Sequence, residues 1–328
     1  MKKLFLLFLL SALFGVEAFG EVSVFKLSRQ HGLSTLPFIV INDKNLFQKY
    51  AKEAGLGDIK IEYLTLAGGA ATNEALLSGS VHINSNGVAP FVRLWDKTKG
   101  KVKAISASSK QNFDLVSSNP NVKSIRDLSE SDRIALPAAK ISIQSLILQI
   151  ATAKEFGIKN YDKFDHLTIT LSSPDALISL TSPKSEVTAH FGSEPFTSVE
   201  LQNPNIHKIL SSADVVGSGI TSGLYSTTQE FYDNNPKTIR VFLKALNEAT
   251  TWIDSHQKEA IALYIKSEKS KESPELLLSI LQSGNLEFGL KPDGVTKFSD
   301  FLYETGAIKS KPTQRELFFD AVFETDYK

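Results

Sequence analysis

The sequence predicts an α/β protein with two lobes, a central cleft between them and a helical tail at the carboxyl end. Three observations carry this prediction. Segments of alternating apolar residues, typical of strands, are followed by apolar stripes at helical spacing. This order occurs in two successive sets, whereas the chain beyond Gln229 is nearly all helical in pattern. The 328 residues are also enough for two domains of ordinary size.

The first twenty residues, MKKLFLLFLLSALFGVEAFG, have the pattern of a secretory signal peptide. Two lysines precede an apolar run at residues 4–14 that is too short to cross a bilayer core of about 30 Å. The small residues that follow predict cleavage after Ala18 or Gly20. We therefore expect the mature protein in the periplasm, not inserted in the membrane.

The sequence contains no cysteine. An exported chain without cysteine has no disulfides, and it has no residue to which a lipid could be attached behind the signal. We therefore expect a free periplasmic protein rather than a lipoprotein. The absence of cysteine also excludes thiol nucleophiles and cysteine-ligated metals.

The first set of elements begins directly after the signal. Alternating apolar residues predict strands, and apolar residues at helical spacing predict the helices between them. This βαβ rhythm predicts a largely parallel sheet covered by helices. The predicted strands are 22–28, 59–66, 81–83 and 101–108, and the predicted helices are 37–54 and one that starts at Pro90.

The second set repeats this rhythm, and the tail follows it. We expect the chain to cross between the lobes near residues 109–113 and 214–219, so that residues 21–111 and 217–328 form lobe 1 and residues 112–216 form lobe 2. Prolines at first-turn positions mark several helix starts in the tail. The predicted strands are 113–118, 133–137, 167–171, 186–191 and 207–210; the predicted helices are 143–156, one from Pro174, 236–255, 258–266, 273–281 and 291–303.

Small polar residues follow most of the predicted strands, and ligands of open α/β sheets lie outside the carboxyl ends of strands. Several of these loops lead into a helix, whose unpaired N–H groups and positive dipole end favour an anion or a polar acceptor. Each loop by itself is also an ordinary turn or helix cap, but six of them together favour a ligand cleft. The candidate ligand-binding residues are His31, Leu33, Ser34, Gly69, Asn73, Asn84, Ser85, Asn86, Lys140, Ser142, Gln144, His190, Phe191, Glu194 and Thr221.

The distribution of charged residues limits the classes of ligand that the cleft could bind. The chain carries 36 basic and 36 acidic residues, with no basic stripe of the kind that nucleic-acid binding needs. Only Arg29 lies near a predicted cleft loop, so the bidentate arginine that amino-acid carboxylates usually meet is missing. An oxyanion or a neutral ring is favoured, with Leu33, Phe191 and Phe196 as candidates for an apolar wall.

Enzyme signatures are poor. The six histidines have no paired metal-ligand spacing, and no nucleophile elbow or phosphate-binding loop occurs. We therefore expect neither a metal nor a cofactor. His190 and Glu194 form a possible acid–base pair, although a structural histidine beside a solvent-exposed glutamate is favoured. A non-enzymatic binding protein is the first hypothesis; an enzyme or a sensor module using the same cleft are the alternatives.

Three stretches carry a resemblance to a known family. GGAATNEALLSGSVHINSNGVAPFVRLWDKTKGKVKAISASS and SPDALISLTSPKSEVTAHFGSEPFTSVEL resemble the two lobes of substrate-binding proteins of the nitrate/sulfonate/taurine importer family, which overlaps the thiamine-precursor (NMT1/THI5-like) group. YDNNPKTIRVFLKALNEATTWID and FSDFLYETGAIKSKPTQRELFF resemble its helical tail.

The resemblance implies a type II periplasmic-binding-protein fold, a small-molecule ligand held between two closing lobes, and a monomer. The implied partners are an inner-membrane ABC permease and its ATPase. The ligands to be expected are sulfonate, taurine or a nitrate-like anion, and alternatively a heteroaromatic such as a thiamine-pyrimidine precursor. The eukaryotic pyrimidine synthases of related fold use a cysteine-rich motif, which this chain lacks.

Overall fold

A computed structural model describes residues 21–324. The predicted signal peptide, residues 1–20, lies outside the described residues, so its cleavage after Ala18 or Gly20 stays a prediction. No helix in residues 21–324 combines the length and the apolar character needed to cross a bilayer.

The strands of the described region are short, and most of them follow the alternating patterns of the sequence. In chain order they are β1 (Val24–Arg29), β2 (Lys60–Thr65), β3 (Asn84–Gly87), β4 (Val102–Gln111), β5 (Asp114–Ser117), β6 (Ile134–Leu136), β7 (Thr168–Thr170), β8 (Ala189–Phe191), β9 (His207–Ser211), β10 (Thr221–Thr228) and β11 (Leu286–Phe288).

The helices connect these strands and then form the tail. In chain order they are α1 (Leu36–Asp43), α2 (Leu46–Glu53), α3 (Gly69–Leu77), α4 (Val88–Lys97), α5 (Ile143–Phe156), α6 (Ser173–Thr181), α7 (Phe196–Glu200), α8 (Ser212–Val216), α9 (Gln229–Asn234), α10 (Pro236–Ser255), α11 (Gln257–Glu268), α12 (Pro274–Gln282), α13 (Thr296–Glu304), α14 (Gln314–Leu317) and α15 (Ala321–Glu324).

The strands form two separate platforms. On one side, β11, β4, β10 and β3 lie in that order, and β1 and β2 pair beside them. A parallel bridge between Leu27 and Ile83 joins β1 to the segment that enters β3, and the Ser28 N–H donates to the Ile83 carbonyl at 2.9 Å. The other platform has the order β7, β6, β8, β5 and β9. The chain passes between them from β4 to β5 and from β9 to β10.

The expectation of largely parallel sheets is wrong. β1–β2, β6–β7 and β6–β8 are parallel, but β10 is antiparallel to both β3 and β4, and β5 is antiparallel to β8 and β9. The strands that carry the chain between the platforms cause the difference. β4 and β10 run side by side in opposite directions, because one leaves the first platform and the other returns to it.

Local signals set several helix boundaries, but two predicted helices differ from the structure. The helix predicted over residues 291–303 begins only at Thr296. α5 runs from Ile143 to the residue before Gly157, and α10 begins at Pro236, as predicted. The helix predicted over residues 37–54 is instead two helices, α1 and α2. Asn45, between them, has a left-handed backbone with φ of 51°, which an α-helix cannot contain.

Two hydrophobic clusters form most of the core. One joins β1, α1 and α2 to the tail, where the Phe25 ring lies 5.3 Å from Phe47 and 5.4 Å from Phe242 of α10. The second contains residues of both α4 and α5, among them Phe91 and Ile147. This second cluster therefore connects an element that follows β3 with one that follows β6.

Candidate functional site

A cleft opens between the two platforms, and both contribute to its lining. It holds about 770 Å³ of empty space when its open mouth is included. Residues from the β1, β2, β3, β4 and β10 side form the first wall, and residues 113–193 form the second wall. The lining consists of Gln30, His31, Ser34, Ala67, Gly69, Ser85, Asn86, Gly87, Pro90, Ser108, Ser109, Gln111, Phe113, Pro137, Ser142, Ile143, Gln144, Ser173, Ser193, Ser222 and Gly223.

The lining is polar but uncharged. Within residues 21–324 it includes no aspartate, glutamate, lysine or arginine, and eight of its residues are serines. Arg29, the arginine nearest to a predicted cleft loop, pairs instead with Glu268 at 2.9 Å and with the Thr65 hydroxyl at 2.9 Å. A ligand in this cleft would therefore meet hydroxyls, amides and backbone groups rather than side-chain charges.

Four helices begin at the cleft. The first residue of α3 (Gly69) and that of α6 (Ser173) belong to the lining. So do the capping residues Gly87 and Ser142, which precede α4 and α5. The first N–H groups of a helix have no acceptor within the helix, and they carry the positive end of its dipole. Two such ends from each wall make the cleft suited to a negatively charged or strongly accepting group.

Three asparagines fix the two helix starts of the first wall: Asn86 belongs to the lining, and Asn73 and Asn84 lie behind it. The side-chain oxygen of Asn73, Oδ1, accepts hydrogen bonds from the side-chain amides of Asn84 and Asn86, both at 2.8 Å. The Asn73 amide donates to the Pro90 carbonyl in α4 at 3.0 Å. Asn86 also donates to the Gly69 carbonyl at 3.2 Å and accepts from the Gly87 N–H at 2.8 Å. The Asn86 side chain thus connects Gly69, the first residue of α3, with Gly87, the residue that precedes α4.

Glycine at position 69 is required for this arrangement. A Cβ atom at Gly69 would lie 2.5 Å from the side-chain oxygen of Asn86, Oδ1, and 2.5 Å from the Pro90 ring. These contacts are too short for any larger residue unless α3 and α4 move apart. The wall therefore depends on the first glycine of α3.

The second wall has helix caps in front and titratable groups behind. The Ser142 hydroxyl accepts the Ser145 N–H at 3.2 Å and fixes the start of α5. Behind the wall, His190 Nδ1 and Glu200 Oε1 are 2.7 Å apart, and both side chains are fully buried. His190 Nε2 and Glu200 Oε2 have no hydrogen-bond partner among the described residues.

Burial raises the pKa of two carboxyl groups in this region. For Glu200, desolvation raises the pKa and the hydrogen bond to His190 opposes the rise. For Glu194, desolvation also raises the pKa, and hydrogen bonds from Ser198 oppose it. Glu194 is only 6% exposed, so the expectation of a solvent-exposed glutamate is wrong. The partner of His190 is Glu200 of α7, because that helix packs against β5, the strand that pairs with β8.

The two walls are in direct contact at the edges of the cleft. The Leu33 N–H donates to the Glu194 carbonyl at 3.1 Å, and Arg93 donates to the Lys140 carbonyl at 3.3 Å. A Cβ atom at Gly68 would lie 2.5 Å from the Pro137 carbonyl oxygen. The structure is therefore a closed conformation, in which the two walls touch.

Seven of the fifteen candidate residues are in the lining, and eight are not. Leu33 and Phe191 are fully buried in the core, and the Thr221 hydroxyl accepts the Asp293 N–H at 2.8 Å. Ligand contact by any of the fifteen stays a prediction. The seven are His31, Ser34, Gly69, Ser85, Asn86, Ser142 and Gln144; the eight are Leu33, Asn73, Asn84, Lys140, His190, Phe191, Glu194 and Thr221.

Sequence reasoning missed several lining residues. Ser108, Ser109 and Gln111 lie on β4. Ser108 was predicted as the end of a strand, and the other two as part of the crossing between the lobes. Ser222 lies on β10. The available signal was the crossing of the chain between lobes, since strands that pass from one lobe to the other border the cleft. The phenylalanine of the described lining is Phe113, and the predicted apolar residues Phe191 and Leu33 are not part of it.

The histidines and carboxylates of the described residues do not form a metal site. In residues 21–324, no three His, Asp or Glu side chains are arranged to hold a metal ion. Among the lining residues of this region, His31 is the one histidine.

Comparisons with known proteins extend these observations. A family model described as "NMT1/THI5 like" matches residues 36–260. No curated protein sequence gives a significant match. Among solved structures, the periplasmic aliphatic sulphonate binding protein SsuA from Escherichia coli is similar, with 19% identity and a TM-score of 0.67 over 92% of this chain and 99% of that chain.

Two further structures have the same fold. The alkanesulfonate-binding protein SsuA from Xanthomonas axonopodis pv. citri, bound to MOPS, has 15% identity and a TM-score of 0.70, over 92% of this chain and 98% of that chain. The periplasmic nitrate-binding protein NrtA from Synechocystis PCC 6803 has 16% identity and a TM-score of 0.66, over 90% and 84%. The predicted periplasmic-binding-protein fold is thereby confirmed.

Proposed function

The chain belongs to the NMT1/THI5-like family, and we propose on that premise that it is the periplasmic substrate-binding component of an ABC importer. It captures a small anionic or polar ligand and delivers it to the inner-membrane permease, which is driven by its ATPase. We propose that the mature protein is a monomer, and that it is free in the periplasm, since it has no cysteine for a lipid anchor.

One observation carries the proposed ligand class: four helix starts, two on each wall, meet in a cleft with no charged side chain in its described lining. Such a site stabilises a compact oxyanion through N–H dipoles and serine hydroxyls. A sulfonate or a nitrate-like anion fits this chemistry. Taurine fits less well, because its ammonium group would meet no carboxylate in the lining.

The mechanism is closure of two lobes around the ligand. We propose residues 21–111 with 217–328 as lobe 1 and residues 112–216 as lobe 2. A ligand that contacts both walls stabilises the closed state by its differential affinity for it. The contacts of Leu33 with Glu194 and of Arg93 with Lys140 join one lobe to the other, and they would break on opening.

We propose that the protein binds its ligand without converting it. The groups with acid–base chemistry in the second wall, His190 and Glu200, are fully buried and hydrogen-bonded to each other. Neither belongs to the lining. A general acid or base must reach its substrate directly or through one water, which a side chain behind the wall does not.

A heteroaromatic ligand such as a thiamine-pyrimidine precursor is the second candidate. Its support is the apolar part of the lining, in which Phe113 lies with Pro90, Pro137 and Ile143. A flat ring could pack on Phe113 while serine and glutamine side chains pair with its nitrogens.

The test is a thermal unfolding assay of the mature protein, refolded from denaturant to remove any ligand from the cell. The panel is ethanesulfonate, taurine, nitrate and a hydroxymethylpyrimidine. A ligand at a hundred times its Kd adds about 2.7 kcal/mol to the free energy of unfolding. Stabilisation by ethanesulfonate or nitrate supports the oxyanion proposal, and stabilisation by the pyrimidine alone supports the second candidate. No stabilisation by any compound would contradict both.

A further inference from the structure

Gln111 is the last residue of β4, where the chain leaves the first platform for the second, and it lines the cleft. Its backbone is held by pairing with Leu286 of β11. The Asn112 N–H donates to the Asn285 carbonyl at 2.9 Å, and Phe113 again lines the cleft. The side chain of Gln111 is thus presented from a fixed backbone at the point where the two walls join.

The amide nitrogen of Gln111 is buried and has no hydrogen-bond partner among the described residues. A buried donor without an acceptor is unfavourable, so folded proteins contain few of them, and each needs a reason. Other side chains also contain such atoms, for example Ser106, Ser145 and Ser226. In residues 21–324, however, Gln111 is the only one of these residues that belongs to the cleft lining.

Hydroxyl groups surround the same end of the cleft. Ser108 and Ser109 precede Gln111 on β4, and their hydroxyls lie so close to β10 that a Cβ at Gly223 would be 2.5 Å from the first and 3.0 Å from the second. The Ser222 hydroxyl donates to the Ser109 carbonyl at 3.2 Å. The hydroxyls and the Gln111 amide therefore form a group of neutral hydrogen-bonding side chains where β4 and β10 run side by side.

We propose that the Gln111 amide donates a hydrogen bond to an oxygen of the bound oxyanion and is a specificity-determining residue of the cleft. This proposal rests on the proposed function. An amide N–H is an uncharged donor, so it forms a hydrogen bond with an acceptor oxygen that lies in its direction. A carboxylate at the same position would repel an anion. A free donor at this end of the cleft therefore favours a ligand that presents an acceptor oxygen there.

The experiment compares Gln111→Met, Gln111→Glu and wild type by calorimetric titration with ethanesulfonate and with nitrate. Methionine keeps the length of the side chain and removes the donor, and we expect its Kd to rise about 10- to 100-fold, as for a lost hydrogen bond to a charged group. Glutamate adds a like charge, and we expect binding weaker than that of the methionine variant. Gln48→Glu, on the exposed face of α2, is the matched control and should bind within about twofold of wild type.

A second readout separates binding from a structural role. The ligand-free Gln111→Met protein should unfold at the wild-type temperature or above it, because the substitution removes an unpaired buried donor. A lower melting temperature would show that the amide supports the fold, and it would overturn the proposal. So would an unchanged Kd for Gln111→Glu in a protein whose wild type binds either anion. If wild type binds neither anion, the proposed ligand class fails, and the inference fails with it.

Discussion

In and behind the first wall of the cleft lie three asparagines, whereas behind the second lie a histidine and two glutamates. Both walls present helix starts and serine hydroxyls to the ligand, yet their supports differ in kind. The amides of Asn73, Asn84 and Asn86 pair with one another and do not titrate. Glu194 and Glu200 are buried carboxyl groups whose pKa is raised by desolvation, and Glu200 pairs with the buried His190. Helix starts and serine hydroxyls can therefore be positioned by a network of neutral amides on one wall and by a network that includes ionisable carboxyl groups on the other.

The largest effect is expected from breaking the titratable support. His190→Ala leaves the fully buried Glu200 carboxyl without its partner, and removal of one member of a buried pair costs about 3–5 kcal/mol. Urea denaturation at neutral pH measures the free energy of unfolding. The matched control is His31→Ala in the lining, where the histidine is exposed, and a change within about 0.5 kcal/mol is expected. Equal losses for the two variants would contradict the burial argument.

The neutral support should come next. Asn73→Ala removes the acceptor shared by the amides of Asn84 and Asn86 and the donor to Pro90. Each unpaired buried donor costs about 1–3 kcal/mol, so a loss of at least about 2 kcal/mol is expected. Ligand affinity per folded molecule should also fall, since the starts of α3 and α4 lose their connection. Asn205→Ala, on the exposed surface, should leave both quantities unchanged; if Asn73→Ala behaves like it, the network does not support the wall.

The contact between the walls offers a third test. Gly68 has an extended backbone with φ of −176°, so alanine is allowed there, but its Cβ would lie 2.5 Å from the Pro137 carbonyl oxygen of the opposite wall. Gly68→Ala should therefore hinder closure and raise the ligand Kd at least about tenfold, or about 1.4 kcal/mol. The ligand-free stability should not change. Gly289→Ala, where a Cβ meets no atom within 4 Å, is the control, and equal affinities in both variants would argue against closure by these lobes.

The smallest effect concerns pH. Burial raises the pKa of Glu194 above its ordinary value of 4.5, so the protonated form is favoured in the folded state. The associated stability is present below the unfolded pKa and is lost as the pH rises through the folded pKa. The side chain of Glu194→Gln is neutral at every pH. The free energy of unfolding of this variant should therefore rise relative to that of wild type as the pH increases from about 4 to 8. Denaturation curves across that range measure it, and parallel curves would show that Glu194 does not contribute to the pH dependence of the second wall.

Much of the fold was predictable because its signals are local. Gly157 ends α5 and Pro236 begins α10, and the apolar periodicity between such signals gave both helices. β3 was missed for the opposite reason. Its residues, Asn84–Gly87, are small and polar and were predicted as a loop, but they pair with Gly223–Ser226 of β10, which is distant in sequence. A short strand forms only when a partner strand pairs with it, and the residues of the short strand do not indicate which segment that partner is.

The candidate site divides in the same way. Loops at strand ends placed Ser85, Asn86 and Ser142 in the lining because strand ends meet at one edge of a sheet. Gln111 was not predicted, since its role follows from a crossover strand that borders both walls. His190 and Glu194 were paired by their closeness in sequence, whereas the true partner of His190 is Glu200 of α7, a helix that packs against β5 beside β8.

The sequence by itself determined the α/β class, most elements, the polar loops and the lack of cysteine, because periodicity, turn residues and composition act over a few neighbouring positions. Only the tertiary structure decided which polar side chains line the cleft and which support it from behind. That choice depends on the direction in which each strand runs, on the pairing of β3 with β10, and on helix packing. These are long-range contacts, and their free energy belongs to pairs of segments rather than to either segment alone.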